Sequence, residues 1–205
     1  MFWVQLAVVL IFIFIGARLG GVAFQWAGKG AVPFIHHDHP ELKIYQSEQE
    51  CGDGRNDWRY ARYAWTMMRH YFTNGASVYD YWNLALDEGG VSRWGWSQNS
   101  LVVVDPATGT SRFSYEYYVL RHLSGFVRPG ARFIPALSYT GYENLLAFHN
   151  PDGSVVVAAQ NDMTTPQEIV VGIGRKNVTF TAPADSIVTV VVPAEEVEVA
   201  GKPLA

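Results

Sequence analysis

A single cysteine in 205 residues leaves Cys51 no partner for an internal disulfide and no thiolate set for a structural zinc. It leaves the compartment open. Charge is sparse too: 17% of residues are Asp, Glu, Lys or Arg, with a net charge of −4. A mildly acidic chain lacks the basic footprint that nucleic acid requires, so nucleic acid is excluded as a partner. There is no internal repeat and no low-complexity linker. Basic residues are also missing ahead of FWVQLAVVLIFIFIGA, residues 2–17, an apolar run broken only by Gln5. The run falls short of the ~20 residues of a membrane span. It fits the apolar part of a secretory signal without the basic start or a good cleavage site. Residues 1–19 are therefore read as a leader: a signal, an anchor or an artefact of a misplaced start, with a buried strand as the alternative. A membrane is touched only through this leader, and the location expected is secreted, periplasmic or lysosome-like.

What is abundant is aromatic: seven Trp, eleven Tyr and eleven Phe. Such an excess fills a large core, and it also suits a carbohydrate site, where flat rings stack on the apolar faces of sugars. With 49% hydrophobic residues the length supports one large domain or two small ones.

VAFQWAG, after Gly20-Gly21, reads as a short strand. KGAVPFIHHDHPEL is a loop or short helix. Its His36, His37 and His39 beside Asp38 suggest a metal site, but adjacent side chains diverge on any regular element, and no metal or other cofactor is expected. LKIYQSE is a second strand, ending at Glu48. NDWRYARYAWTMMRHYFTNGA carries helical spacing, with Trp58, Ala61, Ala64, Trp65, Met68 and Phe72 on one face. Asn56 or Asp57 caps it, and Asn74-Gly75 ends it. SVYDYWNLAL is a third strand, DEGGVSRWGWSQNS a loop, LVVVD an apolar strand and SRFSYEYYVLRHLSGFV a second helix. Strand and helix alternate, as in a parallel sheet or barrel. From about Ala131 the texture becomes short β runs, with PDGS as a hairpin turn, which suggests an antiparallel sandwich. The domains expected are the leader 1–19, a partial (β/α)8 barrel over 20–130 and a β-sandwich over 131–205. The fold class is thus α/β plus all-β.

In a barrel, chemistry gathers where strands run out into loops. Gln25-Trp26, Glu48 and Trp82-Asn83 all stand at such ends. If the aromatic excess marks a sugar site, cleavage of a glycosidic bond by two carboxyls with one as nucleophile needs them about 5–5.5 Å apart on opposite sides of the bond. Glu48 and Glu50 would lie ~6.6–6.8 Å apart along a strand, on one face. Both would then approach the sugar from the same side, which fits poorly with Glu50 as the acid. Glu50 is read instead as anchoring its loop through Arg55 or Arg59, and Asp87 and Glu88 as solvated loop charges. Cys51 has no neighbour that would activate it. Asn177 begins an N-V-T glycosylation sequon, meaningful only in a secreted eukaryotic protein.

SEQECGDG, YDYWNLALDEGG, WGWSQNSLVVVD, YYVLRHLSGFVRPGA and NPDGSVVVAAQN, in that order, resemble glycoside hydrolase family 30, which includes lysosomal glucosylceramidase and microbial β-glycanases. WGWSQNS leans toward the microbial branch acting on β-glucosides or β-1,6-glucans. The resemblance runs from about Gly20 to Pro193. It implies a (β/α)8 barrel beside a β-sandwich and a retaining mechanism. Glu48 takes the nucleophile position at the end of the seventh strand. Gln25 and Trp26 match the end of the sixth strand, Trp82 and Asn83 line the sugar pocket from the eighth, and Trp94 and Trp96 rim it. On this alignment the chain corresponds to strands six to eight, and the Asn-Glu pair carrying the acid/base has no counterpart. The substrate implied is a β-linked glucoside or glucan. The alternatives are a non-catalytic sugar-binding remnant and an unstable truncated fragment.

Overall fold

The computed structural model describes residues 20–138, 141 and 144–197. The expectation for the leader, residues 1–19, lies outside them. The chain divides into two compact units. One holds the chain up to Arg55 together with His70–Arg112, and the other holds Asn56–Arg69 and the chain from Phe113 onward.

The first unit is built on three parallel strands in the order β1-β2-β3: Gly21–Gln25, Lys43–Glu48 and Ala76–Tyr79. Parallel neighbours need long crossovers. The first runs through a 3-10 turn, Trp26–Ala31, and helix α1, Val32–Asp38, with a proline in its first turn. The second is helix α2, Trp58–Thr73. Asp57 starts α2, its Oδ1 accepting the Tyr60 amide at 3.3 Å. Ala61, Ala64, Trp65 and Met68 are buried as the spacing predicts, and Met67 and Tyr71 join them. Val32, Ile44, Tyr71 and Ala76 form this unit's core, packed by Val22, Phe24, Ile35 and Tyr79. Burial raises the Tyr71 phenol to about 12, with the charge of Glu50 adding to it.

Two expectations need correction. SVYDYWNLAL is not one strand: β3 stops at Tyr79, and β4, Ala85–Asp87, belongs to another sheet, beside β5, Val102–Asp105. Trp82 and Asn83 lie in the break, joined by a cis peptide bond. The second helix also starts later than its pattern suggested. Thr110–Phe113 is a strand, β6, next to β5. The turn before it is shaped by Asp105, which accepts the Ala107 amide at 2.9 Å and the Thr108 hydroxyl at 2.8 Å. Helix α3, Tyr115–Ser124, begins only after Ser114, whose hydroxyl accepts the Tyr117 amide and caps it.

The second unit holds a four-stranded antiparallel sheet, β12-β9-β8-β7, and a hairpin, β10-β11. Their ranges are Arg132–Ile134 (β7), Leu145–His149 (β8), Val155–Asn161 (β9), Gln167–Ile173 (β10), Lys176–Ala182 (β11) and Ser186–Val192 (β12). Val171, Ile173 and Val178 of the hairpin pack on Ala147, Val155, Val157 and Val192, which makes the sandwich. All seven residues of β9 are buried, so both its faces are covered. That accounts for the unbroken apolar run VVVAA where a half-exposed strand would alternate. Helix α3 is joined to β12, the neighbour of β9, through His122 and Thr189. The Thr189 hydroxyl donates to the His122 carbonyl at 3.0 Å, so the ring Nδ1, 2.8 Å from the same oxygen, is the donor to it. The α/β and all-β parts expected from the sequence are both present.

Burial lowers the His122 pKa below its ordinary value, and the neutral ring is the folded form. Above the unfolded value of about 6.5 both states are neutral and the group adds no pH dependence. Below it the unfolded chain takes a proton that the fold refuses, so stability falls with falling pH until the folded pKa is passed. Urea midpoints between pH 7.5 and 5 should fall accordingly, and His122→Gln should flatten that part of the profile. An unchanged slope in the variant would refute this role.

Candidate functional site

Every residue proposed from the sequence for the site lies in the first unit. β2 is the middle strand of its sheet, and Glu48 is its last residue. Gln25, the last residue of β1, stands in register with Glu48 across the parallel pair, at a shift in the ladder. Trp26 follows with a left-handed backbone, φ 45°, and its indole Nε1 donates to Glu48 Oε1. The Ser47 hydroxyl reaches back to the Phe24 carbonyl at 3.4 Å. Strand ends thus bring Gln25, Trp26 and Glu48 together, with the Trp26 indole N–H on one carboxylate oxygen.

Glu50 behaves differently. Arg55 and Arg59 were the expected partners; the structure adds Lys29, in the turn after β1, which forms an ion pair with Glu50. The reason is topological: β1 and β2 are neighbours, so the segments leaving their ends meet. Arg55 lies 3.6 Å from Asp53, and Arg59 3.8 Å from Asp57. Glu88 is exposed, as read from the sequence, and Arg112 Nη2 reaches both its oxygens at 2.9 and 3.1 Å.

Trp82, Trp94 and Trp96 are exposed, at 39%, 65% and 59%. The Trp94 and Trp96 rings lie 6.1 Å apart at 36°, with the Arg93 guanidinium 4.7 Å over Trp94. Single exposed aromatics are ordinary, but adjoining bare indoles are surface that a ligand can cover. Among the described residues, the ring contacts found for Trp94 and Trp96 run to each other and Arg93, not to Glu48.

The loop that carries them is nevertheless tied to the loop beyond Glu48, through residues the sequence reading missed. Gln98, Asn99 and Ser100 are all buried. Asn99 Oδ1 accepts the Gly54 amide at 2.8 Å, and the Gln98 amide donates to Cys51 Sγ at 3.4 Å. Asn83 Nδ2 donates to the Asn99 carbonyl at 3.4 Å. Gly52, at φ +77°, has no room for a side chain, because a Cβ would stand 2.5 Å from the Asn99 carboxamide. Below this layer, Gln46 Oε1 accepts the Asp80 amide at 2.7 Å, and the Tyr79 hydroxyl donates to Gln49. The only sequence signal for this layer was a polar triplet, Gln98-Asn99-Ser100, directly before the apolar LVVVD.

Cys51 is buried, and burial pushes its thiol up, with Glu48 and Glu50 adding to the rise and Gln98 opposing it. It is a packed thiol rather than an activated nucleophile.

A parallel sheet with helical crossovers, a carboxylate ending its middle strand and a β-sandwich in the same chain agree with part of a (β/α)8 barrel and a sandwich domain. Residues 138–190 match the glycosyl hydrolase family 30 beta sandwich domain. A Caenorhabditis elegans protein provisionally assigned as glucosylceramidase 2 is 29% identical over 136 residues, covering 62% of this chain and 26% of that protein. SrfJ from Salmonella typhimurium is 26% identical, with a TM-score of 0.76, covering 85% of this chain and 41% of its own. The endo-β1,6-glucanase BT3312 shares the fold at 24% identity and a TM-score of 0.75, covering 87% and 42%. The chain thus spans about a quarter of that curated relative and about two-fifths of these structures. The resemblance to glycoside hydrolase family 30 drawn from the motifs holds, and it is to the C-terminal portion.

Proposed function

We propose that this chain supplies the nucleophile half of a retaining β-glycosidase acting on β-glucosides or β-glucans, with Glu48 as nucleophile. The observation that carries the reading is the place of Glu48: last residue of the middle parallel strand, its carboxylate engaged by the Trp26 indole. The match to a protein provisionally assigned as a glucosylceramidase supports a β-glucoside. Gln25, Trp26, Trp82, Asn83, Trp94 and Trp96 form the sugar-binding surround. Glu48 attacks the anomeric carbon, the C–O bond to the leaving group breaks, and the glycosyl ester formed is then hydrolysed. The leaving oxygen needs a proton. Glu50, on the same strand end as Glu48 and in contact with Lys29, is badly placed to give one, so the acid/base is not among the residues named here. The apolar run at residues 2–17 supports a location on the secretory side of a membrane.

The test is covalent trapping. A 2-deoxy-2-fluoro-β-glucoside with a dinitrophenolate leaving group needs no acid for the first step and is slow in the second. Incubation should add one glycosyl group, mapped by peptide mass spectrometry to Glu48. A label on Glu50 would overturn the assignment. Absence of any label, with a β-glucan still bound, would favour a non-catalytic sugar-binding module.

A further inference from the structure

The turn that follows β1 carries the indole that contacts Glu48. Trp26 opens this turn with a left-handed backbone, φ 45°. A bulky residue takes that conformation rarely and keeps it only where its surroundings fix it. No residue of Trp26–Ala31 is buried, so core packing does not fix it. Polar contacts converge on Lys29 instead. Its Nζ donates to the Trp26 carbonyl at 3.2 Å, which closes the turn on itself. The same Nζ pairs with Glu50, two residues beyond Glu48. The Lys29 carbonyl accepts the Val32 amide, at the start of α1, and the Nε2 of His70, in the last turn of α2, at 2.8 Å. A carbonyl only accepts, so this ring nitrogen carries the proton.

One ammonium thus joins the segment leaving β1 to the segment leaving β2, and the indole on Glu48 Oε1 belongs to the first of them. Lysine suits the task. Its donors sit on one atom and can serve a carbonyl and a carboxylate together, without the fixed plane of a guanidinium. The paired side chains are 30% and 28% exposed, and pairs near water add little to stability. What this pair sets is position. Among the described residues, the side-chain contacts found for Lys29 run to Trp26 and Glu50, not to Glu48 itself.

We propose that Lys29 is a positioning residue for Glu48: by clamping the Trp26 carbonyl and the Glu50 carboxylate, it holds the Trp26 indole on the carboxylate that attacks. The clamp rests on the contacts above, and its bearing on the reaction rests on the proposed function. The test uses the full chain and two readouts. In proton–nitrogen spectra of isotope-labelled protein, the Trp26 indole resonance is assigned by its loss in Trp26→Phe. It should move in Lys29→Met, which keeps the stem and loses the donors, and return part of the way in Lys29→Arg. The second readout is the rate of labelling by the fluoro-glucoside. At saturation it should fall about ten- to a hundredfold in Lys29→Met, the scale of a small misplacement of a reacting group, with the half-saturating concentration little changed. Trp26→Phe should cause a loss of the same order. The double variant should lose no more than Trp26→Phe alone, because Lys29 acts through the indole. Glu50→Gln removes the same ion pair from the other side and serves if Lys29→Met does not fold. An unmoved resonance, an unchanged labelling rate, a loss confined to half-saturation, or losses that multiply in the double variant would overturn the proposal. If the unsubstituted chain takes no label at Glu48, the nucleophile reading fails and the resonance alone decides the clamp.

Discussion

Glu48→Gln should lower turnover of a dinitrophenyl β-glucoside by about 10⁴–10⁶-fold, the scale on which loss of a covalent nucleophile acts. Glutamine has nearly the shape of glutamate and can still accept from the Trp26 indole. It cannot form the glycosyl ester, because the amide has no anionic oxygen to displace the leaving group. Binding should therefore survive while kcat collapses, a split that distinguishes loss of chemistry from loss of fold. In the same assay the unmodified chain should favour the activated aryl glucoside over a β-glucan. Assistance by a general acid contributes roughly 10²–10⁴-fold, and only the unactivated leaving group needs it. Robust glucan turnover that depends on Glu48 would show that the chain finds an acid within itself. Turnover of the aryl glucoside unchanged in Glu48→Gln would end the nucleophile assignment.

The largest stability effect should come from Trp65→Ala, which is expected to cost about 3–5 kcal/mol, as large-to-small substitutions of buried aromatics do. Trp65 is fully buried, and its neighbours Ala61, Ala64 and Met68 on the same helical face are buried with it. Truncation empties the largest side chain of that face. It also removes the Nε1 donor to Asn144 Oδ1 and loosens the bond that Asn144 makes to Gln160. The two contributions can be separated. Trp65→Phe keeps most of the ring volume and loses only the hydrogen bond, so its cost should be about 1–3 kcal/mol, that of a buried acceptor left unpaired. Urea unfolding of the three proteins measures both. A loss below about 1 kcal/mol for Trp65→Ala would mean that the buried face of α2 contributes little to stability.

The periodicities were enough for the elements that bury one face or run between turn signals. The amphipathic pattern from Trp58, the run at Val155 and the alternation in QEIVVGI and NVTFTA each specify an element locally, because burial there depends on spacing along the chain. The ends of VAFQW and LKIYQSE were legible for the same reason, and with them Gln25, Trp26 and Glu48. What spacing could not supply was any pairing between distant segments. Whether Glu50 meets Lys29 depends on β1 and β2 being neighbours. Where the third strand breaks depends on β4 finding β5 rather than continuing beside β2. The start of α3 depended on Ser114 as its cap and on β6 pairing with β5, which overrode a helical pattern that extended further back. The burial of Gln98, Asn99 and Ser100 could not be read from their polar triplet, because polar residues ordinarily read as surface. Here they are buried, since the hydrogen bonds they form with Gly54, Cys51 and Asn83 exist only once three separate loops have closed on one another.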